Sequence, residues 1–205
     1  VHDPTVSPIY LEVGKSRVFA CSLDWPGWCR SGKGEEAAME ALLDYADRYG
    51  AVVPGFEVGQ LDVVERVTGN GNTDFGAPDV PAVADSAPWT AAEGERAAVV
   101  LTVALAAFER AVAAAPAVLP KGPRGGGRDR DGIADHVREA NRSFARKLGV
   151  KHPPGTPLVE TIAAVSAAVV AGDPATGNWP TRYAVRRIAW HLLDHAWELE
   201  DKSGP

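Results

Sequence analysis

Thr181 to Lys202, TRYAVRRIAWHLLDHAWELEDK, constrains this chain more than any other stretch. It contains no Gly or Pro and reads as one long helix. Ala184, Ile188, His191, His195 and Leu199 recur at steps of four, three, four and four, which puts them on one face. Two histidines therefore stand one turn apart inside an apolar stripe. Arg187, Asp194, Glu198 and Asp201 are expected on the opposite side, Asp194 and Glu198 as solvated helix charges. An inward histidine pair at i, i+4 is either a packing choice that needs hydrogen-bond partners or two ligands of a metal.

The segments before it supply the rest of a bundle. Ala92 to Ala115 is a strong helix pattern with Ala97, Leu101, Ala104, Phe108 and Val112 inward, ended by Pro116 and Pro120. Asp129 or Asp131 can cap a second helix that runs to Leu148 and stops at Gly149. Its inward face holds Ile133, His136, Ala140 and Phe144. Leu158 to Ala171 is a third helix, closed by Gly172. With Thr181–Lys202 this makes a four-helix bundle. Three of the five histidines, His136, His191 and His195, then point inward from two helices. Three imidazoles leave a coordination position open, as a catalytic site requires, whereas a structural site is closed by four ligands. Glu139 could be a fourth ligand, a partner to an imidazole N–H, or a general base.

Lys121 to Asp131, KGPRGGGRDRD, precedes the His136 helix. Arg124, Arg128 and Arg130 around three glycines read either as an anion or carboxylate-substrate clamp or as a flexible solvated loop. The Gly-Lys-Ser/Thr ending of a P-loop is absent.

Residues 1–70 have a different texture. Pro8–Val13 and Arg17–Leu23 are strand-like runs around a Gly14-Lys15-Ser16 turn, and Trp28–Ser31 is a third short strand. Glu35–Tyr49 reads as one helix closed by Gly50, and Phe56–Val67 as a further strand. Residues 71–91 are rich in Gly, Asn, Asp and Pro and read as a linker or long loop, with Asn72, Asp74 and Phe75 as candidate site-lining residues. The expected fold is α+β: a small ββ(β)αβ layer over 1–70, the linker, and a helical bundle over 92–205.

Net charge is −6 and the pI about 5.4, which argues against a nucleic-acid partner. Cys21 and Cys29 are too few for a disulfide framework or a thiolate metal site, and a reduced, cytoplasmic protein is expected. The longest apolar run, Ala97 to Phe108, is too short to span a bilayer, so no membrane partner is expected.

Two resemblances follow from these motifs. The four helices, with one histidine in the second and His191-x-x-x-His195 in the fourth, resemble the DinB superfamily of metal-binding bundles over residues 92–202. The Trp190-His191 to Glu198 run carries most of that likeness. The resemblance implies that His136, His191 and His195 bind a divalent zinc, nickel or iron ion. It also implies a small-molecule substrate, activation of a low-molecular-weight thiol such as mycothiol, and often a homodimer. Asp24-x-Pro26-Gly27, Gly32 and Glu35-Glu36-Ala37 resemble the HicB antitoxin family within residues 8–67, which implies a protein-interaction module. Two functions are therefore expected to compete. One is a metal-dependent transferase, isomerase or hydrolase. The other is a non-catalytic binding or regulatory module with a structural or sensing metal site.

Overall fold

The computed structural model describes residues 5–121, 127–172 and 177–204. The chain is α+β, an N-terminal ββ(β)αβ layer followed by a four-helix bundle. It forms two compact units. One comprises the chain up to Pro88 with Pro180–Trp190, and the other comprises Trp89–Trp179 with the chain from His191 on.

In the first unit, β1 (Val6–Val13), β2 (Val18–Ser22), β3 (Cys29–Gly32) and β4 (Gln60–Thr68) form one sheet in the order β3-β2-β1-β4. β1 and β2 are antiparallel through the Gly14–Arg17 turn, while β4 runs parallel to β1 with a register shift between Ile9 and Tyr10. Alternation sorts the side chains onto two faces. Ile9, Leu11, Ala20 and Trp28 share one face with the buried Ala38 and Leu42 of α1 (Glu35–Asp44), and the Trp28 indole N–H donates to the Leu42 carbonyl at 2.9 Å. Tyr10, Phe19, Cys21 and Cys29 share the other face with Ala82 and Trp190.

The helix expected over Glu35–Tyr49 is broken. Tyr45, at φ −95° and ψ 3°, separates α1 from α2 (Ala46–Gly50). Its ring is covered by the Arg30 guanidinium, 3.8 Å from the centroid.

Residues 71–91 carry more structure than their composition suggests. Asn70 and Thr73 cap α3 (Gly71–Phe75) reciprocally, and a 3-10 turn spans Val83–Ser86. This segment is tied to the sheet by one buried carboxylate. Glu12 accepts from the Thr73 hydroxyl at 2.5 Å, from the Asp79 N–H at 2.9 Å and from the Val80 N–H at 3.0 Å. Of the three residues expected to line a site here, Asn72 donates to Asp79, Asp74 accepts from Ser16, and Phe75 is 89% exposed.

In the second unit, α4 (Ala91–Ala114) begins at a Thr90–Glu93 capping box. α5 (Arg130–Leu148) ends at Gly149, whose φ of 108° supplies the left-handed residue that closes the helix. α6 (Leu158–Ala171) packs on both. Gly94 lets α4 approach α6 closely: a Cβ there would lie 2.6 Å from the Val169 carbonyl oxygen. Among the described residues, α4 is the one helix long and apolar enough to cross a membrane by length and composition. Its stripe from Gly94 to Ala111 is buried in the fold.

α7 (Thr181–Ser203) completes the bundle and differs from the expected half-solvated helix. Every residue from Tyr183 to Leu193 is buried. Arg187, expected at the surface, is 8% exposed with its guanidinium 4.6 Å from the Trp190 ring centroid. Arg186 pairs with the buried Asp85 at 2.5 Å.

Candidate metal centre

Helical spacing on α5 and α7 brings His136, His191 and His195 together. One ligand atom from each lies within 4.8 Å of the others, a histidine site capable of coordinating a metal ion. His136 Nε2 and His191 Nε2 are 3.3 Å apart. The rings meet edge to face, with centroids 4.7 to 5.1 Å apart. His191 is buried and the other two are partly exposed, so the cluster opens at one side.

The donor set fits a borderline divalent ion. Zn–N bonds of about 2.0–2.1 Å in a tetrahedron separate the ligand nitrogens by about 3.3–3.4 Å. The His136–His191 spacing meets that, and three imidazoles leave a fourth position. The ring atoms pointing away are held as well. His195 Nδ1 lies 2.6 Å from the Glu198 carboxylate, which leaves Nε2 as the ring atom to ligate. His191 Nδ1 lies 3.1 Å from the Asn141 amide, and that amide also donates to the Val137 carbonyl at 2.8 Å. Asn141 is fully buried and its Oδ1 has no partner among the described residues. A histidine that ligates through Nε2 must carry its proton on Nδ1, and Oδ1 is the acceptor such a proton needs once the amide turns over. The Phe144 ring stands edge-on to His191, 5.3 Å between centroids.

Neither Asn141 nor Glu198 was singled out from the sequence. Glu198 was expected as a solvated charge, yet it sits three residues after His195, the spacing at which helical side chains meet. The hydrogen bond from His195 is the main cause that holds its carboxyl down, to about 2, with Lys202 adding to it and burial opposing. Asn141 follows His136 by five residues and sits on the buried stripe Ile133, Val137, Asn141, Ala145. A fully buried amide within such a stripe was the available signal.

The other candidate residues lie elsewhere. Glu139 accepts from Arg142 at 2.9 Å, from Arg138 at 3.3 Å and from the Gly155 N–H at 3.2 Å. The Arg142 bond, before the others, holds its carboxyl below the usual range. Arg130 pairs with Asp131 at 2.8 Å and reaches the Ala115 carbonyl at 3.3 Å. Arg128 is exposed, and Arg124 falls outside the described residues.

Comparison with protein-family models, curated proteins and solved structures finds no match to this chain.

Proposed function

We propose that the bundle is a DinB-like metal-dependent enzyme acting on a small molecule, with His136, His191 and His195 as the protein ligands. The convergence of three histidines, two of them braced at Nδ1 by Asn141 and Glu198, carries this reading. Without an ion, the Nε2 atoms of His136 and the buried His191 face each other at 3.3 Å, an arrangement that a shared ligand would satisfy. A divalent ion such as zinc held by these three histidines would lower the pKa of a bound thiol or water toward neutrality.

The chain's own residues then do three things. Glu198 fixes the His195 ring by accepting a hydrogen bond from its Nδ1–H. Asn141 and Phe144 fix the His191 ring. The partly exposed His136 and His195 border the side from which substrate enters. No cysteine lies in the bundle, so a thiol nucleophile is supplied by a low-molecular-weight cofactor. Glu139 receives no proton-transfer role in this proposal, because a carboxylate held down by two arginines is a weak base. A cytoplasmic setting suits both the thiol cofactor and the two free cysteines.

Elemental analysis of protein purified without a histidine tag tests the reading. One equivalent of divalent metal is expected, lost in His191→Ala with the circular dichroism spectrum retained. Metal content unchanged in that variant would overturn it. Protein that purifies and remains metal-free, with a co-purifying partner, would favour the non-catalytic module.

A further inference from the structure

Cys21 and Cys29 take no part in the histidine cluster. Both are free and buried. They oppose each other in register across β2 and β3. The next pair along, Ser22 and Trp28, is joined by a bond from the Ser22 N–H to the Trp28 carbonyl, 3.0 Å. Bonded and non-bonded pairs alternate along an antiparallel ladder, so Cys21 and Cys29 form a non-bonded pair. In such pairs the Cα atoms approach to about 4.5 Å, at the short end of the roughly 4.4–6.8 Å that a disulfide spans. The two thiols already hydrogen-bond to each other.

Both cysteines also line a narrow cleft in the same unit, with Tyr10, Trp190, Arg186 and Arg187 among its walls. Among the described residues, two guanidinium groups and no carboxylate line it, and Asp85 pairs with Arg186. The room between the walls is that of roughly one water molecule. Hydrogen peroxide is of that size, and a bulky small-molecule disulfide is not.

We propose that Cys21 and Cys29 are a peroxide-oxidised dithiol that closes an intramolecular disulfide across β2 and β3. Cys21 is assigned the first step because the Arg186 guanidinium lines the same cleft and lies within electrostatic reach of it, placed to stabilise negative charge that develops on sulfur. Its sulfur attacks one peroxide oxygen, the O–O bond breaks, and the departing hydroxide takes up the proton that Cys21 released, giving a sulfenic acid and water. Cys29, whose thiol burial keeps protonated, lies against that sulfur. Its sulfur then displaces the hydroxyl, which leaves with the Cys29 proton as a second water. Two thiols supply the two electrons that reduce one peroxide.

The full chain is treated with hydrogen peroxide, quenched with catalase, denatured in iodoacetamide and weighed intact without reductant. A monomer lighter by two hydrogens, with neither cysteine alkylated and both recovered by dithiothreitol, is expected. Cys29→Ser protein should instead be captured at Cys21 by dimedone, and Cys21→Ser should keep an alkylatable Cys29. Sulfoxide at Met39, the one methionine, leaves these counts untouched. Wild-type protein that retains two alkylatable thiols, forms a disulfide-linked dimer or loses its thiols to sulfinic acid overturns the proposal. So does a Cys29→Ser protein, folded by circular dichroism, that takes up no dimedone.

Discussion

Two side chains that never touch the open position of the histidine cluster decide how well it is organised. Residues that orient a ligating imidazole typically matter by 10–100-fold in metal affinity. Asn141→Leu keeps the volume of the buried site but removes the acceptor for His191. Glu198→Gln leaves a hydrogen-bonding group beside His195 Nδ1 but removes the charge. Each is expected to weaken zinc binding by roughly one to two orders of magnitude, read by titration against a competing chelator, without loss of helical signal. Equal affinity in wild type and both variants would mean that the rings are held by packing alone. Glu12 carries a different kind of consequence. Burial raises its carboxyl above the ordinary glutamate value even though three donors point at it. The folded chain therefore holds this proton more tightly than the unfolded chain does. This contribution to stability is present below the ordinary glutamate pKa and is lost as pH rises through the raised one. Urea unfolding at stepped pH should show that decline, and Glu12→Gln should remove it. Glu12→Gln should also be less stable than wild type at neutral pH, since an amide N–H₂ would face backbone donors.

At the level of single elements, periodicity was the part of the sequence that spoke clearly. Thr181–Lys202 was legible as a helix because nothing interrupts it, and His136, His191 and His195 were legible as inward because a 3.6-residue period fixes direction. What periodicity could not show was that α7 is buried on every side from Tyr183 to Leu193, so Arg187 and Glu198 looked outward-facing. Their environments are set by partners distant in sequence or by a single i, i+3 contact. The break at Tyr45 was hidden for a similar reason, since the arginine over its ring comes from β3. The short α3 was hidden because an Asn-Gly-Asn composition signals a turn, while the Asn70–Thr73 capping box outweighs it. Gly94 could be read only once α6 was beside it. Gly94→Ala should raise helix propensity by about 1 kcal/mol. Overpacking costs about 1–3 kcal/mol, and the Val169 carbonyl, already taken by the Trp89 indole at 3.0 Å, cannot swing aside. A lower urea midpoint is expected; a higher one would mean that α4 and α6 can separate at little cost.

For the whole molecule, the way Glu12 ties down residues 73–80 sets where the backbone is protected. Asp79 and Val80 lie in neither helix nor strand, yet their amides donate to a carboxylate that is fully buried in the first unit. Amide protons exchange with solvent when their bond opens, and these two cannot open without exposing that charge or withdrawing it from its donors. In deuterated water they should exchange on the timescale of the central ladder, while the amide of the exposed Phe75 exchanges early. Slow exchange in a stretch so rich in Gly, Pro and Asn would register as a hidden strand in any experiment that reads protection alone.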